Sequence, residues 1–236
     1  MNTPTQAHTL ELIEMASGPE PQACLIVLHG LGADGHDFVP VVQAMDLSGL
    51  PPLRCVLPSA PHMPVSMNGG YEMRSWYDIR QTPNGRVEDE AGLRASQAAI
   101  DALIEREIAR GIAPERIVLM GFSQGCAMTL MAGLRQPHRL AGLIGLSGYL
   151  PLPEATATER HAANQHTPVL LVHGTEDDVV APARGLMARE RLQQWGYAVQ
   201  WHDHPMAHEV CAEEIEQIAD FLREVLGTPP STDQVR

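Results

Sequence analysis

The chain contains no run of about 18 or more apolar residues, so no membrane-spanning helix is expected. Its first residues, MNTPTQAHTLELIEM, have neither a basic n-region nor an apolar h-region, and no secretory signal is visible. Positive charge is scarce: 16 basic residues stand against 29 acidic ones, a net charge of −13 at pH 7. Such a surface repels phosphate backbones and anionic headgroups at long range. Nucleic-acid binding and electrostatic membrane docking are therefore not expected, and without a long apolar run neither is stable membrane insertion. Cysteine is sparse as well. Cys24, Cys55, Cys126 and Cys211 lie far apart, form no C-x-x-C pair and each sit in an apolar stretch. They are expected to be buried thiols in a protein of the reducing cytoplasm. No Gly-Lys-Ser/Thr occurs, which removes the phosphate-binding loop of nucleotide hydrolases. There is no internal repeat and no interdomain linker.

What is present suits one sizeable core. Of 236 residues, 44% are hydrophobic and 19% charged, a balance foreign to disordered chains. Continuous apolar runs end in turn residues at 23–30, 53–58, 116–122, 140–148 and 168–174. Between helices, such runs mark strands buried on both faces, the signature of a parallel sheet. TLELIEM (9–15) suits an edge strand and YAVQWHDH (197–204) a last one. Helical patterns fill 87–111, 124–135, 183–196 and 208–227. The second is almost wholly apolar, which implies burial. The first buries Ile100, Leu103, Ile104 and Ile108, and the last buries Cys211, Ile215, Ile218, Leu222 and Val225. The alternation predicts a single doubly wound α/β domain over residues 1–236, with a core from about 9 to 227 and a frayed tail at 228–236. Residues 58–86 read as one long irregular loop, and a loop of that length in a compact domain is usually functional.

Gly121-Phe122-Ser123-Gln124-Gly125 is the one G-x-S-x-G in the chain. It follows the apolar run RIVLM and opens the apolar helix CAMTLMAGL. A serine there sits in a sharp strand-to-helix turn, its hydroxyl exposed and the positive end of the helix aimed at its target. The alternative is an ordinary glycine turn with an N-capping serine. A serine needs a base. Of 11 histidines, His208 is best placed, just past the last strand where a helix begins. His29 and His173 each precede a glycine at a strand end and are expected to shape loops. An acid must orient the imidazole, and the cluster Glu176-Asp177-Asp178 follows the strand VLLVHG. The chain order Ser, acid, His is that of α/β-hydrolases. An oxyanion hole needs two backbone N–H donors. Gln124, after the serine, supplies one, and Leu31, in the loop HGLGADGHD after the first buried strand, supplies the other.

Other readings exist for the same residues. Gly30-x-Gly32-x-x-Gly35 spells a dinucleotide fingerprint, but no acidic residue ends the next strand. His202, His204 and His208 have spacings that can gather a metal in a metallohydrolase, though without an H-E-x-x-H partner motif. A non-catalytic binding protein on a hydrolase scaffold is the third.

The segments HGLGADG (29–35), SWYDI (75–79), GFSQGCAM (121–128), LSGYLP (146–151), HGTEDDVV (173–180) and MAHEV (206–210) together resemble the carboxylesterase and acyl-protein thioesterase family of α/β-hydrolases. They keep the family's order from about residue 23 to 226. NGGYEMRSWYDI looks more like its bacterial carboxylesterase branch than its eukaryotic depalmitoylating branch. The resemblance implies a serine hydrolase of carboxylic esters or thioesters of acyl chains, acting on small-molecule or lipid-like substrates through an acyl-enzyme. It implies no metal and no cofactor, and it is compatible with a homodimer. Carried over by residue, it gives Ser123 as nucleophile, His208 as base, Asp177 as orienting acid and Leu31 and Gln124 as oxyanion donors. The family pattern HG-x-x-D selects Asp177 from the acidic cluster. Asp177 comes early enough in the turn to point back across the sheet edge, with Asp178 facing water and Val179-Val180 returning to the core. Loop 58–86 is then the expected wall of an acyl groove, with Met63, Met67, Tyr71, Met73 and Trp76 as lining; Met73 and Trp76 are the substrate-binding candidates.

Overall fold

A computed structural model describes residues 10–83 and 85–227. The expected tail at 228–236 lies outside them. Seven strands form the central sheet, in the spatial order β1-β3-β2-β8-β9-β10-β11. These are β1 (Glu11–Ala16), β2 (Ala23–Leu28), β3 (Leu53–Ser59), β8 (Ile117–Phe122), β9 (Gly142–Leu146), β10 (Val169–Gly174) and β11 (Val199–His204). Five of them fall on the continuous apolar runs, and β1 and β11 fall on the expected edge and last strands. Only β1 is antiparallel, pairing β3 from Glu11↔Ser59 to Ala16↔Arg54, and every other pair is parallel.

Alternation along each strand divides two cores. On β2, Cys24, Ile26 and Leu28 point into one, and Ala23, Leu25 and Val27 into the other. Helices α2 (Glu90–Ala109), α3 (Gln124–Gly133) and α5 (Pro182–Gln194) cover the first face, while α1 (Val39–Ala44) and α6 (Ala212–Leu226) cover the second. All ten residues of α3 are buried, as its composition predicts. Asp89 caps α2, its carboxylate accepting from the Ala91 and Gly92 N–H groups.

Three expectations change here. Loop 58–86 is not irregular. It folds into two antiparallel ribbons, β4 (His62–Val65) with β5 (Tyr71–Arg74) and β6 (Ile79–Thr82) with β7 (Gly85–Glu88). The first is reversed by Gly69 and Gly70, both at positive φ (68° and 79°). The last helix starts at Ala212 and not at 208, so residues 205–211 are a loop leading into it, with Cys211 as N-cap. The buried α6 residues are Glu214, Ile218, Ala219, Phe221, Leu222 and Leu226, with the expected Ile215 and Val225 half-buried against the same core. Cys24, Cys55 and Cys126 are buried free thiols, but Cys211 is half-exposed at this helix start. A short α4 (Pro153–Glu159) follows β9.

Candidate active site

In a parallel sheet all the strands end on one edge, and the loops there converge. Ser123 follows β8, Asp177 follows β10 and His208 follows β11. Ser123 holds φ 56° and ψ −115°, a sparsely populated backbone region whose strain of roughly 1–3 kcal/mol must be held by its surroundings. Its N–H donates to the Leu146 carbonyl at 2.8 Å, and its own carbonyl accepts from Ala127 in the first turn of α3. The flanking glycines are dictated by crowding. A Cβ on Gly121 would lie 2.1 Å from the Gly125 carbonyl oxygen, and one on Gly125 would lie 2.0 Å from that of Leu28. The turn is so tight that only hydrogen fits at either position.

His208 stands between the serine and the acid. Its Nε2 is 2.9 Å from Ser123 Oγ and its Nδ1 is 2.7 Å from Asp177 Oδ2. A carboxylate only accepts, so the neutral ring carries its proton on Nδ1 and leaves Nε2 to accept from the hydroxyl. The ring packs 4.7 Å from that of Phe122. Asp177 is buried, with its other oxygen taking the Val179 and Val180 N–H groups at 2.9 and 2.8 Å. These two bonds fix the carboxylate plane and turn Oδ2 to His208, with His173 Nε2 3.4 Å from the same oxygen. His173, also buried, donates from Nε2 to the Val180 carbonyl at 2.9 Å and so braces the turn, the loop-shaping role expected of it. Glu176 and Asp178 are exposed, and Val180 is buried. Val179 is not: at 47% exposure it faces solvent, and the chain turns inward only at Val180.

Gln124 directly follows the serine, and the Leu31 loop approaches it: a Cβ on Gly30 would lie 3.4 Å from Ser123 Cβ. Neither the Leu31 nor the Gln124 backbone N–H has a hydrogen-bond partner among the described residues. The Gln124 side chain points away into the protein. Its Oε1 accepts from the Trp76 N–H at 2.8 Å, and its Nε2 donates to the Tyr77 carbonyl at 2.8 Å and to Ser75 Oγ at 3.1 Å. His29 holds the other donor's loop. Its Nδ1 donates to the Gly30 carbonyl at 2.7 Å, its Nε2 accepts from the Ala60 N–H at 2.9 Å, and burial pushes its pKa down. The imidazole therefore stays neutral in this role.

The expected groove wall separates into parts. Met63, Met67 and Met73 are half-buried, and Tyr71 on the ribbon is 70% exposed. The Met73 sulfur lies 3.7 Å from where a Cβ on Gly32 would sit, beside the Leu31 loop. Trp76 is only 2% exposed and belongs to the core. It lies under the site and not on its wall, because its indole N–H is drawn inward to the His29 carbonyl at 2.9 Å. The alternative metal set is not gathered. His208 spends both ring nitrogens on Ser123 and Asp177, and His204 Nε2 meets Gln217 Oε1 at 3.0 Å. Among the described residues no three His, Cys, Asp or Glu side chains cluster as ligands. Among the same residues, no helix is long and apolar enough to cross a membrane.

A mostly parallel sheet covered on both faces, with a serine on a strained strand-to-helix turn at its carboxyl edge, defines an α/β-hydrolase. Residues 9–226 match the phospholipase/carboxylesterase family, and the chain belongs to it. It is 41% identical over 222 residues to acyl-protein thioesterase 1 of Gibberella zeae, covering 88% of this chain and 92% of that one. To acyl-protein thioesterase 1 of Yarrowia lipolytica it is 36% identical over 207 residues, 86% of this chain and 91% of that one. Among solved structures, SOBER1 of Arabidopsis thaliana superposes with a TM-score of 0.81 at 30% identity, covering 86% of this chain and 99% of that one. Acyl-protein thioesterase 2 of Zea mays gives 0.77 at 26% identity, covering 91% and 99%. The protein is a carboxylic ester hydrolase.

Proposed function

We propose that Ser123, His208 and Asp177 form a catalytic triad that cleaves esters and thioesters of acyl chains through an acyl-enzyme on Ser123. The unbroken line from Ser123 Oγ through the His208 ring to Asp177 Oδ2, with links of 2.9 and 2.7 Å, carries this reading. Ser123 Oγ attacks the acyl carbonyl as its proton passes to His208 Nε2. Asp177 steadies the resulting imidazolium through Nδ1. The oxyanion rests on the Leu31 and Gln124 N–H groups, with the first turn of α3 adding its positive end. His208 then gives the proton to the departing alcohol or thiol. Water enters, gives a proton to the same nitrogen and attacks the acyl carbon; His208 then returns that proton to Ser123 Oγ as the acid leaves. No step needs a metal or an organic cofactor.

Thioester cleavage is included because the relatives bear the name acyl-protein thioesterase. A thiolate is also a good leaving group for the same tetrahedral intermediate. Met73, half-buried beside the Gly32 turn, remains our candidate for contact with the acyl chain, and its flexible apolar side chain suits a variable ligand. The three fully buried free thiols are in keeping with the cytoplasm as the site of action. The test is a hydrolysis screen over acyl length with matched oxygen and sulfur leaving groups, run on the protein and on Ser123→Ala. Turnover of both classes by the protein, lost in the variant, is expected. Undiminished turnover in a folded Ser123→Ala removes the proposal.

A further inference from the structure

Two backbone donors on different loops can hold one oxyanion only if their separation is fixed before the substrate arrives. The Leu31 loop follows β2 and Gln124 opens α3, so nothing in either element alone sets that distance. The segment Arg74–Tyr77 touches both. Towards the first loop it makes two bonds: the Arg74 carbonyl accepts from the Gly32 N–H at 2.9 Å, and the Trp76 indole N–H donates to the His29 carbonyl at 2.9 Å. These bonds bracket Gly30-Leu31 on either side. The Trp76 and His29 rings lie 5.3 Å apart, adding a packed contact to the second bond. Towards the second donor, the Gln124 amide takes the Trp76 N–H and gives to Tyr77 and Ser75. The Ser96 hydroxyl from α2 takes the remaining polar group of the same residue, the Trp76 carbonyl. Trp76 therefore has its backbone N–H, its backbone C=O and its indole N–H all engaged inside the protein, on three different elements.

We propose that Trp76, through its bonds to the His29 carbonyl and the Gln124 side chain, is a positioning residue that sets the spacing of the two oxyanion donors. This rests on the assignment of Leu31 and Gln124 as those donors. The role differs from that of a groove wall, and the two roles separate in kinetics. A wall residue changes KM in a manner that depends on acyl length. A strut under the oxyanion hole changes kcat by the same factor for every chain, because the oxyanion is common to all.

The experiment uses Trp76→Phe, which keeps an apolar ring and the backbone N–H but loses the indole donor. The partner variant Gln124→Met keeps length and backbone but loses the acceptor of the Trp76 N–H. Each is assayed against nitrophenyl esters from short to long acyl chains, with active sites titrated by a fluorophosphonate so that only folded enzyme is counted. Affinity for an alkyl boronic acid, whose hydroxyl occupies the oxyanion position, is measured beside it. A displaced donor weakens transition-state binding, so kcat should fall roughly 10- to 100-fold, equally across chain lengths. KM should stay within about 3-fold, and boronate affinity should drop in parallel with kcat. Unchanged kcat and boronate affinity in both variants overturns the strut. So does a loss carried by KM and graded with chain length, which returns Trp76 to the wall. An active Ser123→Ala would instead overturn the triad on which the proposal stands, and the two failures are thus distinct.

Discussion

Asp177→Asn isolates what the acid does, because the amide keeps almost every contact but one. The two N–H donors of Val179 and Val180 hold Oδ1 at 2.9 and 2.8 Å, so the amide oxygen takes that place. Its NH2 group is thereby forced to where Oδ2 stood, 2.7 Å from His208 Nδ1. A donor now faces Nδ1, so Nδ1 must accept and the ring proton moves to Nε2. That nitrogen, 2.9 Å from the Ser123 hydroxyl, can then no longer take its proton. The loss of the right tautomer and of imidazolium stabilisation amounts to roughly 10³–10⁴ in kcat, or about 4–5.5 kcal/mol of barrier. The neighbouring acids are exposed and make no such contact. Glu176→Gln and Asp178→Asn should therefore stay within about 10-fold, since solvated charges contribute little. The three variants are compared for kcat on a short-chain nitrophenyl ester, with folding checked by circular dichroism. An Asp177→Asn enzyme within 10-fold of the parent, or an Asp178→Asn enzyme that is crippled, refutes the reasoning.

Other outcomes test the fold around the site. Glu214 is buried in α6 and both its carboxyl oxygens lack a hydrogen-bond partner among the described residues; burial pushes its pKa from 4.5 up to about 8. The folded chain thus binds this proton more tightly than the unfolded one. The contribution is full below about pH 4.5, weakens at up to ~1.4 kcal/mol per pH unit, and is gone above about pH 8. Glu214→Gln should gain stability relative to the parent as pH rises from about 4.5 to about 8 in chemical denaturation; a pH-independent difference contradicts this. Gly125→Ala places a Cβ 2.0 Å from the Leu28 carbonyl oxygen. It should abolish soluble folding or lower the thermal midpoint by many degrees, and an unchanged midpoint would mean that the turn is looser than described. Glu107 is fully buried and bonds Arg54 at 2.7 Å and Arg110 at 2.8 Å, near the start of β3, away from the strand ends that carry Ser123. Glu107→Gln should remove about 3–5 kcal/mol of stability by urea titration while leaving kcat near the parent value at low denaturant.

The central sheet was legible because its strands are buried on both faces. Runs such as ACLIVL and PVLLVHG need no partner information to read as strands. The ribbons of residues 62–88 were hidden for the opposite reason. Burial on β7 reads half-buried, exposed, exposed, half-buried, and no period of two survives in the sequence. The six residues of α1 are too few to show a helical period. Ser123, Asp177 and His208 were readable from strand ends and chain order. The Trp76 arrangement was not, since its bonds join residues 47 and 48 positions apart and leave no local pattern. Trp76 looked like a groove wall because a tryptophan in a polar loop looks available, and only the buried His29 carbonyl explains why it turns inward. The start of α6 was not legible because Cys211 continues the apolar spacing of Ile215, Ile218 and Leu222, although the backbone before Ala212 is a loop that presents His208.

The central claim is that chemistry passes through a covalent acyl group on Ser123. Rapid acid quench during turnover of a nitrophenyl ester, followed by intact-mass and peptide mass spectrometry, measures this directly. The account predicts a mass increase of one acyl group on the peptide containing Ser123, absent from Ser123→Ala. His208→Ala removes the base that takes the Ser123 proton, 2.9 Å away in the parent, so this peptide should stay essentially unacylated in that variant over the same interval. An acyl group found on another residue, or full turnover by an enzyme never acylated at Ser123, would contradict it.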